Sequence, residues 1–276
     1  MFRSSFAAVL VLTASGIGTT ATGAMAAGAG TLAPHRAVYD IELKEATDRS
    51  GIEGMRGRMV YEFNGSACAG YTTSFRFVTR IDSGEQVRVT DQQSSTFEDM
   101  AKGKFRFSSK SFTDDQLDKN IRGNAEDEHG KVRIDLTLPD KRELELADSR
   151  FPTEHMLQVI EKARKGETFF EARIFDGSED GDQTYLTTTI VGRPQTPDKN
   201  DPDAEKAGDL SKAAYWPVSI AYFDEKAAGD ALPVYTQSFK LYENGITRDL
   251  TLDYGDFVLT GRLIKLDMLG GGADCK

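Results

Sequence analysis

YDIELK, residues 39–44, is alternately apolar and charged: Tyr39, Ile41 and Leu43 share one parity, Asp40, Glu42 and Lys44 the other. Successive side chains of an extended strand point to opposite faces, so this segment reads as a β-strand with one dry and one wet side. The same period returns along the chain. Met59, Tyr61 and Phe63 alternate with Arg58 and Glu62, and Phe75, Phe77, Thr79 and Ile81 with Arg76 and Arg80. Val132, Ile134, Leu136 and Leu138 share a parity, as do Leu250, Leu252 and Tyr254 against Asp249 and Asp253. One face apolar and one face wet is the pattern of antiparallel strands. Turn pairs stand between them at Ser50-Gly51, Asn64-Gly65, Ser83-Gly84, His129-Gly130 and Asn244-Gly245. Many short strands at regular spacing predict a barrel, a sandwich or a curled sheet.

Two segments break the period. FPTEHMLQVIEKARKGE, residues 151–167, places Met156, Leu157, Ile160 and Ala163 at helical spacing. Pro152 opens it, acids come early, basic residues late, and Gly166 closes it, so it reads as an amphipathic helix over 153–165. A lone helix beside a large sheet must bury its apolar stripe, commonly across an open end. PQTPDKNDPDAEKAGDLSK, residues 194–212, holds three prolines and many charges and is expected to be a mobile acidic loop.

The first 26 residues carry Arg3 as their single charge, an apolar run from Phe6 to Leu12, and Ala24-Met25-Ala26 as a small-x-small cleavage pattern. This reads as a secretory signal peptide, leaving residues 27–276 as one β domain. No later stretch is apolar enough to span a bilayer as a helix. Export implies an oxidising compartment, the periplasm. The two cysteines, Cys68 and Cys275, allow one intramolecular bridge; two reduced thiols are the alternative. Such a bridge would tie the glycine-rich tail to an early strand. The formal charge of −10 disfavours phosphate backbones and anionic membrane surfaces, so nucleic acid is excluded as a partner class.

No constellation carries chemistry. The three histidines, His35, His129 and His155, are not at metal-ligand spacing, and neither a nucleophile elbow nor a phosphate-binding loop occurs. DGSEDGDQ, residues 176–183, opens like a calcium loop with Asp176, Ser178, Asp180, Gly181 and Asp182. Thr187 stands where the bidentate glutamate is required, and strand-like flanks make it an acidic hairpin turn. Neither a metal nor any other cofactor is expected. The single tryptophan, Trp216, reads as a core residue, or as one at the mouth of an apolar cavity. With 44 acidic residues, no carboxylate pair is informative.

Four blocks taken in order resemble one family: FPTEHMLQVIEKARKGE, RIFDGSEDGDQTYLTTTIVG, YWPVSIAYFD and LYENGITRDLTLDYGDFVLTGRLIKLDML, at 151–167, 173–192, 215–224 and 241–269. With the leader and the two distant cysteines, the chain is similar to the envelope integrity protein B (EipB) family of exported alphaproteobacterial proteins. The resemblance implies a mainly β fold, a many-stranded antiparallel sheet curled into a spiral-like or broken barrel, with one amphipathic helix near one end. It implies a Cys68–Cys275 disulfide, a role in cell-envelope integrity, and no catalytic residues to carry over. Three functions follow as expectations: a non-catalytic periplasmic protein binding a lipid, glycan or peptide of the envelope; a scaffold docking a helical-repeat partner; and a carboxylate-based envelope hydrolase.

Overall fold

The computed structural model describes residues 32–226 and 232–270; the leader at 1–26 and Cys275 lie outside the described residues. The first eight strands are β1 (His35–Ala46), β2 (Gly54–Ser66), β3 (Gly70–Asp82), β4 (Val87–Asp99), β5 (Lys104–Thr113), β6 (Gln116–Asp127), β7 (Lys131–Leu138) and β8 (Arg142–Ala147). Helix α1 (Pro152–Arg164) follows, then β9 (Phe169–Ile174) and β10 (Tyr185–Val191). A short α2 (Pro202–Lys206) precedes β11 (Tyr215–Asp224), β12 (Tyr235–Tyr242), β13 (Thr247–Asp253) and β14 (Phe257–Met268). The alternating segments read from sequence lie in β1, β2, β3, β7 and β13.

All fourteen strands join one antiparallel sheet in the order 8-7-6-5-4-3-2-1-14-13-12-11-10-9. Two meanders therefore meet at its centre, where β1 pairs with β14. A sheet this wide curls. Register shifts at Ile264 on β14, Lys44 on β1, Asp118 on β6 and after Ser238 on β12 add local bend. The ends of the curl, β8 and β9, do not pair as strands. The segment just after β8 touches β9 through one parallel bridge, in which Arg150 N–H donates to the Arg173 carbonyl and Phe175 N–H donates to the Arg150 carbonyl. The result is a curled sheet short of a closed barrel.

α1 forms where the sequence places it. Pro152 occupies the first turn, and the helix buries His155, Val159, Ile160 and Ala163. Phe151 precedes it without a side-chain cap, so the first N–H groups need another acceptor. Glu98 on β4 supplies it, accepting from Thr153 N–H at 2.8 Å and Glu154 N–H at 3.0 Å.

Residues 194–212 depart from the expected mobile loop. They carry α2, with Asp203, Ala204 and Ala207 buried. The Asp203 carboxylate accepts the backbone N–H of Leu263 at 3.0 Å and of Asp249 at 3.3 Å. The paired register of β13 and β14 begins only at Leu250 and Gly261, so these donors lie where the two strands part. Asp201 meets Arg248, a fully buried guanidinium, at 2.8 Å. The acids that suggest a solvated loop are thus spent on donors and a cation that only the folded sheet presents.

Candidate functional cavity

The interior face of β4 differs from its neighbours. Gln92, Ser94, Thr96 and Glu98 share the parity of the inward side chains of β3. Register sets Ser94 opposite Phe75 on β3 and Ser109 on β5, and sets Gln92 opposite Phe77 and Ser111. A polar band thus crosses the dry face and divides the core in two. The larger cluster includes Tyr39, Phe63, Val159, Ile220 and Leu250; the smaller is built on Phe105, Phe107, Phe151, Phe175 and Ile134. In the smaller one, Phe105 stacks on Phe151 at 5.0 Å, and Phe175 meets Phe107 edge-on at 5.4 Å.

A cavity of about 670 Å³ is associated with this band. That volume lies within the range of small-molecule sites, roughly 300–1,000 Å³. One wall is apolar, with Tyr39, Met59, Phe63, Phe75, Ile220 and Phe239. The polar part of the lining comes from Gln92, Ser94, Ser109 and Ser111 on β4 and β5, and from Gln237, which register sets opposite Ile220. The first turn of α1 and the loop after β9 complete it. That loop fits closely because residue 177 is glycine: its φ is +70°, and a Cβ there would sit 2.5 Å from Phe107.

Several titratable groups of the cavity are held neutral or paired, while Lys110 reaches it as an exposed residue. Burial lowers His155 to about 4, with the nearby Arg150 charge adding to the effect. Its Nε2 is buried without a hydrogen-bond partner, and its ring lies 6.1 Å from Phe170. Burial also lowers His35, whose Nδ1–H donates to the Ala33 carbonyl at 2.7 Å. Asp176 is buried, which raises its carboxyl, although Ser178 N–H donates to it at 2.9 Å. Lys119 is paired with Glu179 at 3.2 Å and Asp180 at 3.3 Å.

The sequence-singled residues are dispersed accordingly. His35 and His155 both reach the cavity, while His129 is exposed in the β6–β7 turn with φ +57°. Of the acidic turn at 176–183, Asp176 and Glu179 line the cavity, whereas Asp182 pairs with Arg142 at 2.9 Å. Among the described residues, no group of three or more His, Cys, Asp or Glu is arranged to hold a metal ion. Trp216 is half-buried against the larger core and does not line the cavity. Cys68 lies in the β2–β3 turn, its sulfur 3.9 Å from the Ser66 hydroxyl. Sequence reasoning missed the band on β4; QQSST has the right period but no apolar parity to mark it.

A curled antiparallel sheet wrapped round a half-apolar cavity defines a class of β-barrel-like proteins with an internal chamber. Within that class, the chain belongs to the EipB-like family, whose model matches residues 26–270. It is 52% identical over 250 residues to the cell envelope integrity protein EipB of Brucella abortus strain 2308, covering 90% of this chain and 89% of that protein. A crystal structure of a beta-barrel-like protein with a domain of unknown function, also from Brucella abortus, superposes with a TM-score of 0.82 at 51% identity. It covers 87% of this chain and 100% of that one. Among the described residues no helix is long and apolar enough to cross a membrane.

Proposed function

We infer that this protein works in the periplasm as a non-catalytic envelope-integrity protein that holds an apolar envelope component inside its curled sheet. The cavity of about 670 Å³ carries this reading, because a purely structural scaffold has no need to leave its two cores apart. The name of the Brucella relative supports the envelope role. The carboxylates lining the cavity favour binding over hydrolysis: Glu179 is paired with Lys119, and Asp176 accepts the Ser178 N–H.

The Cys68–Cys275 bridge belongs to the same reading. His35 pairs with Phe63 on one side and Met268 on the other, so β2 and β14 flank β1 at one end of the sheet. Cys68 follows β2 there, and Leu269 N–H donates to the Pro34 carbonyl at the same end. Two strand spacings are roughly 10 Å. Six residues of chain can span at most about 20 Å, enough to reach. Native mass spectrometry of protein released gently from the periplasm, without reductant, tests both parts. The expected species is two protons light and carries bound mass of a few hundred daltons (about one small ligand). A clean apo mass would move the weight to a docking role.

A further inference from the structure

We propose that the cavity takes an amphiphile with an apolar chain and an uncharged, hydroxyl-bearing head of the sugar type. The inference rests on the binding role above and concerns which head group the site accepts.

The two walls ask for different chemistry. Tyr39, Met59, Phe63 and Phe75 offer an apolar surface with no positional demand, which suits a hydrocarbon chain. Beside it on the same inward sheet face, the side chains of Gln92, Ser94, Ser109 and Ser111 form two directly opposed cross-strand pairs, Ser94 with Ser109 and Gln92 with Ser111. None of these four makes a side-chain hydrogen bond among the described residues. Hydroxyls and amides both donate and accept, so they match a ligand whose own groups do both, which is what sugar hydroxyls are. His155 adds a buried Nε2 without a partner on the same cavity.

Charge disfavours an anionic head. A phosphate or sulfate moved into a partly buried site needs a cation or a cluster of N–H donors. Lys119 is taken by Glu179 and Asp180. Lys110 also lines the cavity, but it is exposed and has the opposite parity to Ser109 and Ser111 on β5, so its ammonium keeps its water. Both cavity histidines are held neutral by burial. Asp176 offers no positive charge in either protonation state, and Glu179 adds a negative one. A cationic head meets the opposite difficulty, because Lys119 already neutralises Glu179.

Isothermal titration of the full exported chain, bridge intact, tests this with three probes: octyl glucoside below its micelle concentration, octyl sulfate at the same ionic strength, and glucose. Octyl glucoside is expected to bind once per chain and about tenfold or more tighter than octyl sulfate, while glucose alone gives no heat. In Gln92→Ala/Ser94→Ala/Ser109→Ala the preference should fall to within about threefold, with the chain still bound. Ser109→Ala alone serves if the triple variant does not fold by circular dichroism, and should narrow the preference in the same direction. Octyl sulfate binding as tightly as the glucoside would overturn the head-group assignment and leave the cavity's binding role standing. If neither octyl compound binds, both fall together.

Discussion

Glu98, on the fourth strand, caps the helix that begins at Pro152: its carboxylate accepts the Thr153 N–H at 2.8 Å across 55 positions of sequence. This contact fastens the polar strand to α1, and α1 in turn supplies a cavity wall. Glu98→Ala leaves two buried N–H groups without an acceptor, so a loss of about 2 kcal/mol in urea unfolding is expected, and a smaller one for Glu98→Gln. Burial pushes the Glu98 carboxyl up, and the Thr153 and Glu154 N–H groups offset part of that. A raised carboxyl binds protons more tightly folded than unfolded, so its contribution is full below the ordinary carboxylate range and declines as pH rises through the folded value. Glu98→Gln should remove that slope; an identical pH profile would refute the assignment.

His155 gives the opposite slope. Its folded value of about 4 lies below the ordinary 6.5 of histidine, so the unfolded chain binds the proton first as pH falls. Stability attributable to His155 is full above about 6.5 and is lost progressively down to about 4, at most about 3 kcal/mol. His155→Gln, compared with the parent by thermal melts between pH 7 and about 4, should be the less acid-sensitive protein. Equal sensitivity would mean the imidazole is hydrated in solution.

Asp201 and Arg248 hold α2 against the sheet at 2.8 Å, with Arg248 also donating to the Tyr242 hydroxyl at 2.8 Å. Removing one member of a buried pair strands the other charge, so Asp201→Ala should cost about 3–5 kcal/mol. Arg248→Met paired with Asp201→Ala should recover a good part of it. Chemical denaturation of the three variants checks this, and no recovery in the double variant would place the cost in the helix cap that Asp201 also provides.

Cys275→Ser should lower stability by a few kcal/mol under non-reducing conditions and should release one free thiol at Cys68 by thiol titration. An unchanged melt with no new thiol would show that the tail is not anchored through this bridge.

Ser94→Leu should set stability against binding. Leucine on the inner face of β4 extends the apolar surface from Phe75 toward the smaller core, so thermal stability is expected to hold or rise by about 1 kcal/mol. Uptake of the octyl probes should fall at least about tenfold. Undiminished binding in this variant would place the ligand away from the polar band.

Much of this architecture is written in the chain itself. Alternation at Tyr39, Ile41 and Leu43, or at Val132, Ile134 and Leu136, is a local property of extended backbone, and it identified strands and their dry faces without reference to anything distant. The start and stop residues of α1 are local in the same way. The acidic segment at 194–212 shows where locality ends. Asp203 reads as solvated until Asp249 and Leu263, 46 and 60 positions away, present unpaired N–H groups to it. The cavity belongs to the same category. Gln92, Ser94, Ser109 and Ser111 are unremarkable polar residues in sequence, and only the register of three strands brings them to one inward face between two cores. Periodicity fixes which side of a strand is dry, because that depends on neighbours two residues away. What lies across the dry side depends on how fourteen strands curl, and only the folded sheet determines that.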